Sequence, residues 1–331
     1  MITTFLATLD PLLTLFFCMA VGFAVHKAHL LPESAGKVMA KLITWVFYPA
    51  LSFMTMARNC TVESMKNHGI NMLLSMLCVG VAMAMAIPLS RLFAKKGSYD
   101  LGVYRYALTF ANSGYMGDPL ILALFGDVAL AYYKFYSLFP CLVIYSWGVS
   151  QMIPDEHAKG NLFKKMMTPP TVAMLIGMVF GLTGLTQYIP DFLVGALDSL
   201  KGCMGPTAML LAGFTVGAYS VVGMLKKGKV YAASVLRLTL LPGVIIAVLF
   251  GAKSLINLVF SANISNAVLF LSFFFCATPL GLNTIVFPEA YGGDPETGAS
   301  MALISHILCL ISIPLLLALM ITLFGTPTFV R

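Results

Sequence analysis

The sequence predicts an all-α polytopic membrane protein: ten transmembrane helices in two inverted five-helix repeats, with the fourth and ninth helices broken where they cross. Three observations predict it. Of the 331 residues, 59% are hydrophobic and only 10% charged, with a mean hydropathy of +0.91, far from the balance of a soluble domain. Ten stretches approach the length of about 20 apolar residues that a bilayer crossing requires. The longest polar interruption, 151–168, falls midway and leaves five stretches on each side. Because five is odd, the second half enters the membrane upside down relative to the first.

Taken in order, the stretches are 9–29, 37–57, 70–94, 103–125 and 128–150 in the first repeat (1–150), then 169–188, 192–221, 230–252, 266–290 and 297–324 in the second (169–331). Met1 to Asp10 has no basic leader segment, so the first stretch reads as a signal anchor rather than a cleaved peptide. The second stretch of each half carries a proline, Pro49 and Pro206, and reads as interrupted there; the third carries Pro88 and Pro242. The fourth reads Phe110-Ala-Asn112-Ser113-Gly114-Tyr-Met-Gly117-Asp118-Pro119 and the ninth Cys276-Ala-Thr278-Pro279-Leu-Gly281-Leu-Asn283-Thr284. Polar, flexible and helix-breaking residues at mid-span survive in lipid only where protein or a water-filled cavity satisfies the backbone. Phe125-Gly126-Asp127 and Tyr291-Gly292-Gly293-Asp294 follow at matching places and read as the corners into the fifth and tenth stretches.

Lysine and arginine concentrate in and beside one set of loops, at Lys27, Lys37 and Lys41, Arg91, Lys95, Lys96 and Arg105, Lys159, Lys164 and Lys165, and Lys226, Lys227 and Lys229, against Arg58, Lys66, Lys253 and Arg331 on the other. The asymmetry places the rich set, including the 151–168 linker, in the cytoplasm and both termini outside a plasma-membrane protein. The net charge of +7 thereby belongs to membrane orientation, and no nucleic-acid partner is expected. Seven scattered cysteines without a Cys-x-x-Cys pair read as packing residues, and no metal site, cofactor or catalytic residue is expected. Two glycosylation-type sequons, at Asn59 and Asn263, fall in loops on the outer side.

A broken span offers carbonyls at the end of its first half and N–H groups at the start of its second. Two such spans crossing near the midplane aim positive helix ends at one point, which suits an anion. The residues expected to hold it are Asn112, Ser113, Gly114 and Pro119 from the fourth stretch with Thr278, Pro279 and Asn283 from the ninth. Asp118 is either a carrier of a coupled proton or cation, or the N-cap of the half-helix that Pro119 opens. His306 is either a packing histidine or a proton relay. Arg237 either contacts the anion or extends to the interface. Asp198 and Lys201, three apart, read as a mutual pair, and Lys134 among tyrosines as an interfacial anchor.

The Phe110-to-Pro119 run, with Phe125-Gly126-Asp127, resembles the fourth span of the auxin efflux carrier family. Pro279, Asn283, Tyr291 to Asp294, Ala299, Ser305 and Pro314 resemble its last two spans, and the Pro49 region its second. Asp118 departs from the family pattern, where that position is more often apolar. The resemblance implies a carrier of small organic acids, malate- or malonate-like in prokaryotic members and auxin-like in plants. It also implies an elevator arrangement, with spans 1, 2, 6 and 7 as scaffold and spans 3–5 and 8–10 as the moving part. The expected partners are the organic acid, the lipid bilayer and a second copy docked through the scaffold, with H+ or Na+ as coupling ion. The alternatives are a sodium-coupled symporter of the bile acid type and, more remotely, an intramembrane enzyme or a channel. Against the enzyme, Gly117-Asp118 lacks the Gly-x-Gly-Asp context of membrane aspartyl proteases, and His-Glu-x-x-His is absent from the sequence.

Overall fold

A computed structural model describes residues 2–154, 167–260 and 266–329, and these contain helices but no strand. Most of the expected 151–168 linker, and the sequon at Asn263, lie outside the described residues. The first half comprises α1 (Ile2–Lys27), α2 (Ala35–Leu42), α3 (Tyr48–Asn59), α4 (Val62–Ser90), α5 (Tyr99–Thr109) and α6 (Asp118–Val143). The second comprises α7 (Pro169–Thr183), α8 (Asp191–Gly217), the short α9 (Val221–Leu225), α10 (Gly228–Val235), α11 (Leu241–Phe260), α12 (Ala267–Ala277), α13 (Asn283–Tyr291) and α14 (Pro295–Phe324).

Among the described residues, six helical runs are long and apolar enough to cross a membrane: Leu6–Lys27, Ala35–Asn59, Asn71–Ser90, Tyr99–Val143, Gly228–Val259 and Pro295–Phe324. The count differs from the ten expected stretches for physical reasons. Tyr99–Val143 has 45 residues, about twice what a core of roughly 30 Å needs at about 1.5 Å per residue. Its α6 turns a corner at Gly126, whose φ of 81° and ψ of −175° only glycine adopts readily. Helix α12 is apolar but stops after 11 residues at the second break, and α7 is apolar over 15. Helix α8 is long enough, but it carries Asp191, Asp198, Lys201 and several glycines.

Proline leaves a different mark from the one expected. π-Helical turns at Ile43–Phe47, Ser113–Gly117 and Leu236–Leu240 each end two residues before a proline: Pro49, Pro119 and Pro242. A proline ring collides with the carbonyl four residues back, and widening that turn relieves the collision without opening the helix. Pro49 therefore does not interrupt the run from Ala35 to Asn59, and Pro206 sits inside an unbroken α8.

Five helices hold each other closely: α1 lies along α8, α3 along α7, and α8 also meets α2 and α3. A Cβ on Gly213 would stand 1.8 Å from the Met19 carbonyl oxygen, and one on Gly22 2.1 Å from that of Leu210. Gly177 and Gly181 approach the carbonyls of Phe53 and Cys60 in the same way, each at 2.5 Å. Helices in lipid gain little from apolar burial, so backbone approach through small residues supplies the attraction. The others pack among themselves, α4 with α5 and α6, α10 and α13 with α14, and α11 with α12, touching the first group mainly through α1–α14 and α3–α6. The sequon at Asn59 is no surface acceptor: the residue is buried, and its Nδ2 donates to the Thr55 carbonyl at 2.9 Å.

The α1–α8 contact gives a direct expectation. Gly213→Ala forces the helices apart and costs about 1–3 kcal/mol by overpacking. Gly202→Ala on the same helix, where a Cβ meets nothing within 4 Å, leaves stability unchanged or slightly raised. Thermal midpoints of the two purified variants, compared with the parent, check the contrast.

Candidate functional site

The two interruptions fall where the polar clusters sit. Helix α5 ends at Thr109, Phe110 is extended (φ −117°, ψ 139°), and helical structure resumes with the π turn that opens at Ser113. The break is therefore Phe110 to Asn112, several residues ahead of Asp118-Pro119. Pro119 lies outside it, within the resumed helix, its ring against Gly205 of α8. In the second break Thr278 is extended (φ −65°, ψ 150°), as the residue before a proline must be, and helix resumes at Asn283.

The breaks touch. The Asn112 backbone N–H donates to the Pro279 carbonyl at 2.7 Å, so each interruption satisfies part of the other. Gly281 packs directly on the first break, where a Cβ would lie in van der Waals contact, 3.5 Å from Asn112 Cα. Ser305 of α14 secures the second break from behind, its hydroxyl accepting from the Leu280 N–H at 3.0 Å. Asn283 Nδ2 donates to the Tyr106 hydroxyl at 2.9 Å, tying the start of α13 to α5. Gly114 and Gly117 admit the hydroxyls of Tyr48 and Tyr133, to which a Cβ would come within 2.7 and 2.5 Å.

Several buried polar atoms at this meeting point have no protein partner. Asn112 is 2% exposed with both Oδ1 and Nδ2 unanswered, and Thr278 is 0% exposed with its Oγ1 unanswered. Arg237, on the π turn before α11, is 0% exposed, and none of its three guanidinium nitrogens has a hydrogen-bond partner. Tyr106, Tyr133 and Cys276, which flank the two breaks, are its electrostatic neighbours. A buried charge without a partner is costly in any protein and more so in a bilayer. The cluster thus presents one uncompensated positive charge, an amide that donates and accepts, and a hydroxyl.

The remaining expected residues are distributed differently. Asp118 caps nothing; its carboxylate forms a buried ion pair with Lys134, whose side chain is itself 4% exposed. Lys134 is therefore not an interfacial anchor. The corner at Gly126 folds the two limbs of α6 together, which brings these residues, 16 apart in sequence, into contact. The ammonium also stands 4.2 Å from the centre of the Tyr48 ring. Asp198 and Lys201 do not pair with each other: Asp198 receives two hydrogen bonds from Arg58, at 2.9 and 2.7 Å, and Lys201 pairs with Asp127 at the Gly126 corner. His306 is fully buried on α14, its Nδ1 2.7 Å from the Ala302 carbonyl and its ring facing Phe16 of α1, with Nε2 unpartnered. Tyr48, Tyr106 and Tyr133 were not singled out by sequence reasoning. Their rings fit an apolar pattern, and only the contacts of their hydroxyls set them apart.

Interrupted helices that meet inside an apolar bundle, leaving a guanidinium and polar side chains unanswered there, are the architecture of a membrane transporter. The chain belongs to the family described as membrane transport protein, whose model matches residues 7–317, in agreement with its resemblance to the auxin efflux carriers. It is similar to an uncharacterized transporter of Methanocaldococcus jannaschii, 22% identical over 312 residues that cover 93% of this chain and 97% of the relative. An uncharacterized transporter of Methanothermobacter thermautotrophicus is 23% identical over 326 residues, covering 94% and 98%.

The buried ion pair predicts a non-additive pattern. Lys134→Met alone strands the Asp118 carboxylate and costs about 3–5 kcal/mol, whereas the double variant Asp118→Leu/Lys134→Met regains most of that loss. A double-mutant cycle of thermal or denaturant stability measures the coupling.

Proposed function

We propose that the protein is a secondary active transporter of small organic anions, malate- or malonate-like carboxylates or auxin-like weak acids, bound where the two broken helices meet. The observation that carries this reading is Arg237, a guanidinium buried without a counter-charge beside both breaks. Its planar donor fork fits a carboxylate bidentately, while Asn112 and Thr278 can take the second oxygen or a hydroxyl of the acid. The breaks supply helix starts at Ser113 and Asn283 from the two halves of the chain, adding partial positive charge from both sides. Binding that leans on neutral donors and a single fixed charge stays reversible, as a carrier requires.

The packing supports an elevator arrangement. Helices α1, α2–α3, α7 and α8, locked by glycine contacts, form the static scaffold and the surface through which a homodimer assembles. The helices that bear the breaks move against it as a unit, alternating access to the site. In this reading residues 1–150 and 169–331 are inverted repeats crossing the plasma membrane ten times, with both termini outside. Arg237 also bears on the sodium-coupled alternative, since the guanidinium already provides the positive charge that a bound sodium ion would bring to the breaks.

Arg237→Gln separates binding from folding. Removing an unpaired buried charge leaves the ligand-free protein as stable as the parent or more so, while anion affinity falls about thirtyfold or more, equivalent to about 2 kcal/mol. Thermal shifts against malonate, malate and phenylacetate, in sodium and in choline, measure both. In the parent, an acid at about 100 times its Kd adds about 2.7 kcal/mol of stability, with or without sodium. A variant that binds these acids as tightly as the parent would remove Arg237 from the site.

A further inference from the structure

A cavity of about 320 Å³ lies outside the meeting point of the breaks, between the Ile43–Phe47 turn, α3 and α7 on one side and α4, α6 and the Ser113–Gly117 turn on the other. It is large enough for a small organic molecule. Its polar side is formed by the hydroxyl-bearing Tyr48, Tyr115 and Ser137 and by Lys134; Met72, Leu142 and Met174 contribute to an apolar wall. No lining residue carries a carboxylate. Asp118, the counter-ion of Lys134, stands behind the ammonium and does not line the space.

An ammonium has three donors, and Asp118 engages Lys134 through one carboxylate oxygen, Oδ2. A carboxylate entering the cavity therefore meets a cation with donors to spare. Two carboxylates on one buried ammonium leave a net negative charge in a medium that penalises it strongly. One added proton restores neutrality.

We propose that this cavity binds a monocarboxylate with an apolar body, and that its carboxylate takes Lys134 from Asp118, which accepts a proton in exchange. The balance is simple. An O–H bond forms on an Asp118 carboxyl oxygen, the proton coming from hydronium and releasing water, while Lys134 stays protonated and changes partner. Before binding, the pair sums to zero; afterwards the acid's −1, the lysine's +1 and a neutral Asp118 also sum to zero. Anion and proton enter as an electroneutral pair. The apolar wall and single cation select one carboxylate on a hydrophobic body over a dicarboxylate.

Few other groups bear on this exchange. The titratable side chains facing the pair are Tyr48 from α3, Tyr115 from the π turn, and Tyr133 and Cys141 from α6 itself. Cys276 of α12 and Arg237 lie beyond Tyr133. Cys78 of α4 is directed at Tyr136, Lys201 of α8 is held by Asp127, and Asp10 of α1 is exposed. Asp118 is the carboxylate in contact with Lys134.

The proposal rests on the reading of the chain as an organic-anion carrier, and the test separates the two. Calorimetry of phenylacetate, malonate and uncharged 2-phenylethanol binding to the purified full chain carrying Arg237→Gln, which takes away the cation at the breaks so that the cavity is read by itself, run beside the parent in buffers of different ionisation enthalpy, counts protons taken up per ligand. The expected result is about one proton per phenylacetate, phenylacetate tighter than malonate, and no comparable binding of the alcohol. Asp118→Asn brings the proton count to zero. The double variant Asp118→Asn/Lys134→Gln, which replaces the ion pair by neutral hydrogen-bonding groups and so guards against misfolding, binds phenylacetate at least tenfold more weakly. Phenylacetate binding without proton uptake, or with uptake retained in Asp118→Asn, overturns the exchange and leaves the carrier reading standing. Equal binding of the alcohol, or malonate tighter than phenylacetate, overturns the ligand class. Binding of neither acid by the parent overturns both readings.

Discussion

The structure depends on one constraint: inside a bilayer no backbone polar group can be left to water, so a helix can open only where something else closes it. Here each break closes part of the other, through the hydrogen bond from the Asn112 N–H to the Pro279 carbonyl. Ser305 and Tyr106 brace the second break from the α14 and α5 sides. Gly114 and Gly117 leave room beside the first break for the Tyr48 and Tyr133 hydroxyls, which a Cβ at either position would crowd. What the breaks leave unanswered, the amide of Asn112, the hydroxyl of Thr278 and the guanidinium of Arg237, is then available to a ligand.

Charge is treated in two ways within a few residues of one another. Asp118 and Lys134 neutralise each other deep in the bundle, and Lys201 and Asp127 pair at the corner where α6 meets α8. Arg237 alone, among the described lysines and arginines that are buried, has no partner for any side-chain nitrogen. A protein that pairs its other deep cations and leaves this one open bears a local cost, which the proposed anion would remove.

Much of the fold was legible in the sequence because membrane helices announce themselves by apolar length, and the breaks by Asn, Gly and Pro where a span should be uniform. The all-helical architecture, the family and the approximate position of both interruptions follow from those signals. The exact place of the first break does not, because Pro119 is absorbed by a π turn and the chain opens earlier, at Phe110 to Asn112. Charge partners were less legible still. Asp198 and Lys201 sit at ideal helical spacing, yet each is claimed by a residue far away in sequence, Arg58 and Asp127. Lys134 reaches Asp118 only because Gly126 turns α6 back on itself. Tyr106 looks like any other aromatic of an apolar helix until its hydroxyl is seen at Asn283.

The central claim is that the two breaks form one anion site that carries its occupant across the membrane. The most direct measurement is counterflow of labelled malonate, malate and phenylacetate in liposomes containing the purified protein or the variant Asn112→Leu/Thr278→Val. The account predicts saturable uptake of at least one of these acids, accelerated by the same acid inside, and its loss when the two side chains at the breaks are made apolar. Uptake that rises linearly with concentration, or that persists unchanged in the variant, would contradict it.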